Sequence, residues 1–449
     1  MGSRKGIFHR EFKSRPFWWE AFNPANYPKK DLPNTPAVAI IGGGYTGLSA
    51  ALELGKQGVE CCVVDSGNPG DHASTRSGGI VAGPGGVKVP LVTSLPTERH
   101  FDEMVIAANE GLQLVESIIQ EEKIDCQWCP TGFLKLACTR KHLAGMKKKL
   151  TVGSRPAGIH SRILDEVSIR HGIGSHYYHG GLLTDQGGHL HPALYFGGLL
   201  DAVERRHQVT ICAHAKVEKI QESRSGWQLQ TSRGSLWANH VIVATNGYTS
   251  EVTPQFRRRV VPIRAYIIAT EILDEEAAEA LSPENHGFAE STRIAPFFRL
   301  SGPAGNRRLI FGSRVKWVDI EPDEMAPFLF DLMIKRFPPL RETKITHAWT
   351  GNVALTLDEE LHNGRLDGLY YALGCNGSGV ANMTYLGTQV ARKIVSSRLY
   401  SSPFDGVFPQ SRFYNGDQRW FIPMIGRYLT ARDWLDMKLD NRPPETRGN

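Results

Sequence analysis

The stretch Val38-Ala39-Ile40-Ile41-Gly42-Gly43-Gly44-Tyr45-Thr46-Gly47 decides the fold of this chain. A short run of β-forming apolar residues leads straight into glycines spaced G-x-G-x-x-G. Leu48 to Gln57, rich in Ala, Leu and Glu, reads as a helix. Val59-Glu60-Cys61-Cys62-Val63-Val64 then reads as a second buried parallel strand, and Asp65 closes it. Strand, tight turn, helix, strand and acid together form a βαβ unit suited to a dinucleotide. Gly42 permits the turn, Gly44 leaves room for a pyrophosphate at the helix N-terminus, and Gly47 lets the helix pack close to the strand. Asp65 lies at the distance expected for a carboxylate that accepts hydrogen bonds from a ribose diol. The plainer alternative is a βαβ turn with no ligand.

At 449 residues the chain is long enough for two domains in one body. A hydrophobic content of 41% and a charged content of 22% are those of a soluble globular protein. The net charge of +6 favours anionic small molecules without arguing for nucleic acid. Lys147-Lys148-Lys149 and Arg257-Arg258-Arg259 are short basic runs and read as solvated faces. The seven cysteines form no repeating framework, which implies reduced thiols and a cytoplasmic setting. Cys126-Gln127-Trp128-Cys129 has metal or redox spacing but no completing pair, so no metal site is expected. Neither a secretory signal nor a membrane span is expected.

The rest of the chain repeats the opening logic. Residues 1–35 form an aromatic lead-in anchored by Trp18, Trp19, Phe22 and Tyr27. Residues 66–90 are glycine-rich and carry Arg76. Helices are expected over residues 101–122, within Lys135–Leu150, and from Pro192 to about Arg206. Three strands are expected at Val209–Ile220, Trp227–Ser232 and Leu236–Ala244, the last entering Thr245-Asn246-Gly247. Val260–Thr270 and Arg308–Val315 read as longer strands of a second, antiparallel sheet, joined by an acidic helix, Asp274–Leu281, and followed by a helix over Met325–Phe337. Leu369–Leu373, Gly374-Cys375-Asn376-Gly377-Ser378-Gly379 and a helix to Ile394 make another strand, glycine turn and helix. Residues 399–449 read as a tail, frayed from Pro443 onward.

Taken together, the βαβ unit, Ala73–Gly79, Asp185–Pro192, Ala244–Tyr248, Pro262–Thr270 and Gly374–Val380 resemble the D-amino-acid-oxidase-like FAD-dependent oxidoreductases, in the branch of the gamma-glutamylputrescine oxidases. The resemblance spans roughly residues 36–397, and Trp420-Phe421-Ile422-Pro423 in the tail is similar too. It implies an α/β protein with a Rossmann-like FAD-binding domain and a discontinuous antiparallel-sheet substrate domain. The lead-in (1–35) would be followed by FAD segments 36–95, 155–255 and 346–398, substrate segments 96–154 and 256–345, and the tail 399–449. It further implies that Gly42, Gly44, Tyr45, Thr46 and Gly47 meet the pyrophosphate, and that Asp65 and Ser66 meet the ribose. Ser74, Thr75, Arg76, Gly78 and Gly79 would lead toward the flavin, and Val217 would sit by the adenine. Asn246, Gly247, Gly374, Asn376, Gly377, Ser378, Gly379 and Val380 would surround the flavin. The chain departs from the pattern in places. Asp65 replaces the usual Glu, and no Cys lies in Trp349–Glu360, so FAD is expected to be non-covalent. His72 remains the other possible attachment point. Ile310 stands where sarcosine oxidases carry a Lys that promotes reaction with oxygen.

The expected chemistry is oxidation of a C–N bond. A neutral amine passes hydride to FAD, water hydrolyses the imine, and O2 reoxidises the flavin to give H2O2. Tyr266, Arg299 and Trp349 are the expected substrate contacts, with Arg299 gripping a carboxylate and Arg264 and Arg314 next in line. The bland reading of the three is core packing and a structural ion pair. Rival readings are a dehydrogenase passing electrons to a quinone or carrier protein, a tRNA-modifying enzyme of the same fold, and a flavoprotein without turnover.

Overall fold

The apolar run at Val38 becomes the centre of a six-stranded sheet in the computed structural model. The structure describes residues 5–25, 27–88, 96–152, 156, 158–313, 319–396, 400–410, 414–416 and 421–440. The strand order is His362–Leu366, Leu369–Leu373, His240–Val243, Val38–Ile41, Cys61–Val64, Val209–Cys212. All pairs are parallel except the hairpin at one edge. Val38, Ala39, Ile40, Cys62, Val63, Val241 and Ile242 are fully buried, because helices cover one face of this sheet and the three-stranded antiparallel sheet Val217–Ser223, Gly226–Thr231, Gly234–Ala238 covers the other, leaving no polar face to alternate with. The helices Tyr45–Lys56 and Gly379–Val395 cross in close contact at Gly387, where a Cβ would lie 2.2 Å from the Thr46 carbonyl oxygen.

Gly47 plays the role its spacing implies. A Cβ there would sit 1.9 Å from the Gly42 carbonyl oxygen, so only glycine allows the helix to start this close to the strand. Gly42 itself has a φ of +108°.

A second sheet of nine strands faces the first. Its order is Phe8–Lys13, Ile345–Leu355, Val261–Thr270, Arg308–Ser313, Phe297–Ser301, Gly287–Glu290, Phe133–Leu136, Gly181–Thr184, Ser161–Leu164. It is antiparallel apart from two parallel pairs, Phe8–Lys13 with Ile345–Leu355 and Gly287–Glu290 with Phe133–Leu136. Its outer face is a core built by strand alternation. Phe288, Phe298 and Phe311 stack at 5.0 and 5.8 Å, and Met325, Leu329 and Met333 of the helix Pro322–Arg336 cover them. One buried ion pair is set into this core. Glu290 accepts from Arg336 Nε at 2.7 Å and Nη2 at 2.9 Å, and from the Tyr178 hydroxyl at 2.8 Å.

Several expectations change. Val209–Ile220 is two strands, split by a turn with His214 at φ +53°, and they belong to different sheets. Leu236–Ala244 is likewise divided between Gly234–Ala238 and His240–Val243. Strands Gly287–Glu290 and Phe297–Ser301 were not foreseen. Ser161–Leu164 and Gly181–Thr184 join the second sheet although 155–255 was expected on the dinucleotide side, and Ile345–Leu355 does so although 346–398 was. The lead-in contributes an edge strand, Phe8–Lys13, and its Trp18 is fully buried. The tail contains a helix, Ile422–Leu439, docked through Asp433 and Asp436 onto Arg293 at 2.8 Å each. Residues 443–449 lie outside the described residues, as do Arg314 and Trp420. Among the described residues no helix is long and apolar enough to cross a membrane.

Arg336→Met leaves Glu290 buried without its counter-charge, so it should destabilise the protein by about 3–5 kcal/mol. The measurement is the thermal midpoint. Glu290→Leu combined with Arg336→Met should recover most of the loss, and a double variant as unstable as the single one would contradict this account.

Candidate cofactor and substrate site

The glycine turns at the ends of the parallel strands and the inner face of the second sheet enclose one cavity of about 410 Å³. At one end lie Asp65, Ser66, Ala215, Lys216 and Val217. The middle is walled by Gly42, Gly44, Tyr45, Thr46 and Ser74. The other end is walled by Gly78 and Gly79, Asn246, and Gly377, Ser378, Gly379 and Val380. Sequence positions more than 330 residues apart thus meet in one space, because parallel strands place all their C-terminal turns at the same sheet edge.

Asp65 is buried, and its carboxylate accepts the Gly43 N–H at 2.7 Å and the Gly67 N–H at 2.9 Å. Burial pushes its pKa up, against the pull of those two donors. A Cβ on Gly44 would point at Ser74 Oγ, 3.0 Å away, so the absent side chain keeps the gap between helix and loop open. At Gly379, the first residue of its helix, a Cβ would meet only Cys375 Cβ at 3.8 Å. Two helix N-termini therefore open onto the cavity, the first with its Tyr45 N–H donating to Ser74 Oγ at 3.1 Å, a good match for an elongated molecule with a diphosphate and a polar ring edge.

Five expected cofactor residues do not line the cavity but shape its walls. Gly47 packs the helix. The Thr75 hydroxyl donates to the Gly70 carbonyl at 2.7 Å. Gly247 packs on Asn352, and Gly374 turns at φ +89° beside Thr356. Asn376 accepts from the Thr356 N–H at 3.0 Å and donates to the Glu360 carbonyl at 2.9 Å. His72 is exposed, lines the cavity and stacks on Tyr248 at 4.2 Å.

Tyr266, Arg299 and Trp349 do not line the cavity either. Strand alternation sends Ala265 and Ile267 into it and turns Tyr266 into the outer core, where its hydroxyl donates to the Ile320 carbonyl at 3.0 Å. Arg299 and Trp349 instead hold the loop that forms the cavity wall. Four consecutive loop residues each accept one side-chain N–H. Trp19 Nε1 reaches Thr75 Oγ1 at 2.9 Å, and Trp349 Nε1 reaches the Arg76 carbonyl at 2.8 Å. Trp18 Nε1 reaches the Ser77 carbonyl and Arg299 Nε the Gly78 carbonyl, both at 2.8 Å. The remaining Arg299 donors go to the carbonyls of Leu300 and Leu190 at 2.8 and 2.7 Å and to His189 Nδ1 at 3.3 Å. Burial pushes the Arg299 guanidinium down to about 9. Burial and then Arg299 hold His189 at about 3, so the ring is neutral and its Nδ1 accepts. Arg264, the reserve choice, faces Asp319 at 3.3 Å.

The wall opposite the loop was missed by sequence reading. It belongs to a cross-strand row, Lys135, Ala289, Phe297, Gly312, Ile267 and Trp349, each in register with the next, of which Lys135, Ala289, Phe297 and Ile267 line the cavity. The period-2 pattern in Phe133–Leu136 and Val261–Thr270 was the available signal. Which half faced inward depended on a pairing no local pattern carries.

The family model for the FAD-dependent oxidoreductases (DAO) matches residues 37–393, and the chain belongs to this family. It is similar to the gamma-glutamylputrescine oxidoreductase of Escherichia coli strain K12, with 32% identity over 359 residues, 79% of this chain and 82% of that one. Among solved structures, the glycine oxidase of Geobacillus kaustophilus superposes with a TM-score of 0.69 at 18% identity, covering 85% of this chain and 99% of that one. The L-proline dehydrogenase of P. horikoshii superposes with a TM-score of 0.65 at 16% identity, covering 81% and 94%. The cofactor is FAD.

Two outcomes test the site. Gly44→Val should leave the fold intact and abolish flavin binding, whereas near-normal flavin content in the purified variant would mean the wrong turn has been assigned. Arg299→Met should lower the thermal midpoint and the flavin content without raising KM in the molecules that stay loaded, because Arg299 holds backbone and not substrate. A higher KM with unchanged stability would return Arg299 to the substrate.

Proposed function

We propose that the chain oxidises the C–N bond of an amine or amino acid by hydride transfer to FAD. The imine is hydrolysed to an aldehyde or keto acid plus ammonia or a smaller amine, and the reduced flavin is reoxidised by O2, which becomes H2O2. The observation that carries this reading is the shared cavity, with phosphate-sized glycine turns along one side and a mostly apolar sheet row along the other. FAD, when bound, supplies the two-electron acceptor. In this reading the backbone of Gly44, Tyr45 and Thr46 would hold the diphosphate, Asp65 the ribose and Val217 the adenine, while Gly78, Gly79 and Gly377 to Val380 would hold the flavin end. FAD is held without a covalent bond, in keeping with the absence of Cys from Trp349–Glu360.

Ala265, Ile267, Phe133 and Phe297 would then line the substrate side and keep water from the reacting carbon. The substrates in the relatives' names, gamma-glutamylputrescine, glycine and L-proline, are amines or amino acids, which supports the same class. A quinone or carrier protein as electron acceptor is the second reading. It is favoured by Ile310, which is buried in an apolar cluster with Trp18 and Trp349 and offers no charge to oxygen.

The yellow protein should bleach when mixed anaerobically with one member of a panel of amines and amino acids, and should regain its colour with stoichiometric peroxide on admitting air. Failure of every amine to bleach it would reject the reading. Bleaching followed by rapid recovery only with a quinone would select the dehydrogenase. Acid denaturation should release all the flavin, and flavin retained on the polypeptide would point to His72.

A further inference from the structure

We infer that Lys135 holds the carboxylate of the amine substrate and so sets the substrate class to amines that carry an anionic end. The inference rests on the reading of the cavity as an amine-oxidising site.

Phe133–Leu136 alternates strictly. Leu134 and Leu136 enter the outer core, and Phe133 and Lys135 face the cavity. Lys135 pairs in register with Ala289, and Ala289 with Phe297. Neighbouring strands lie about 4.8 Å apart, so the Ala289 methyl forms a low floor roughly one strand wide between the Phe297 ring and the Lys135 chain. The Phe297 ring is wedged between Gly78 and Gly312, where added Cβ atoms would meet it at 2.8 and 2.5 Å. An aliphatic amine lying over Ala289 would have this ring on the side of the flavin loop and the Lys135 ammonium on the other.

Among the described residues Lys135 makes no hydrogen bond or ion pair. The charge that acts on it is another cation, Lys149 of the helix Arg140–Val152. Burial, and then Lys149, push Lys135 down to about 8. Two cations with no acid between them cost stability that a carboxylate would restore. The acids bordering the cavity are engaged elsewhere. Glu290 follows Ala289, so alternation turns its side chain to the outer core, where Arg336 neutralises it. Asp65 lies at the opposite end, on Gly43 and Gly67. Lys88 donates to the Asn376 carbonyl at the glycine turn, which leaves Lys135 as the cation at the sheet row.

The test uses holoenzyme in two assays. In the first, oxidised protein is titrated with butanoate and with butanamide while the flavin spectrum is followed. Butanoate should perturb the wild-type flavin and butanamide should not. Lys135→Met should weaken butanoate binding about ten- to hundred-fold, the loss expected for one charge-assisted contact. In the second, steady-state kinetics compare a carboxylate-bearing amine with its primary amide. Lys135→Met should raise KM for the first by a similar factor with kcat little changed, and leave the amide unaffected. Lys135→Arg should keep the preference, and Lys135→Gln serves if the Met variant folds poorly.

Equal losses for acid and amide would overturn the inference, as would unaltered butanoate binding, or a variant changed only in the rate at which its reduced flavin reacts with O2. If no amine reduces the wild-type flavin, the amine reading itself fails. The butanoate titration still scores Lys135 separately.

Discussion

The site depends on how the loop Thr75–Gly78 is held. Its four residues have no regular secondary structure to satisfy them beyond one short turn, and Thr75 and Gly78 are buried while Arg76 and Ser77 are half-buried. Three indole N–H groups and one guanidinium supply the donors, one per residue. Three of the acceptors are carbonyls and the fourth is the Thr75 hydroxyl, and a buried polar group left unpaired costs about 1–3 kcal/mol, so the four contacts together fix the loop far more firmly than its glycine content suggests. They come from three distant segments, the lead-in, Phe297–Ser301 and Ile345–Leu355. The cavity wall therefore forms only when both sheets and the N-terminus are assembled.

Arg299 has the most demanding environment of the four donors. It is fully buried without a carboxylate, and its charge is compensated by carbonyl dipoles at Gly78, Leu190 and Leu300 and by the Trp18 ring at 5.0 Å. His189 stays neutral beside it and accepts. Gly79, at φ +73°, leaves the space in which this cluster meets the loop, since a Cβ there would fall 2.2 Å from the Leu190 carbonyl oxygen. The same economy recurs at Gly47 and Gly387, where helices approach backbone too closely for any side chain. The dinucleotide side is thus built from backbone, and side-chain chemistry is concentrated on the facing sheet.

That division explains which parts of the site were legible. Glycine spacing after an apolar run has a local cause, the turn itself, so Gly42, Gly44, Gly78 and Gly377 to Gly379 could be picked out residue by residue. The cysteine-free stretch near Thr356 and the terminal acid Asp65 are likewise local. Arg299 and Trp349 were misread because a basic or aromatic residue on a strand looks the same whether it faces a ligand or a buried carbonyl. Tyr266 was misread by one position of alternation. The helix Ile422–Leu439 was missed because its docking rests on Asp433 and Asp436 meeting Arg293, which a stripe of apolar residues does not announce.

By itself, then, the sequence determined the βαβ unit and the recurrence of strand, glycine turn and helix, since each rests on short-range sterics and hydrogen bonding within a few residues, while the FAD-dependent class came from the resemblance of these motifs to a known family. Tertiary structure alone decided which face of the second sheet looks inward, and hence that Lys135, Ala289 and Phe297 line the cavity while Tyr266 does not. The reason is that a strand's two faces are equivalent until it pairs. The pairing of Phe133–Leu136 with Gly287–Glu290 joins residues about 150 positions apart, set by the packing of the whole sheet and not by either strand.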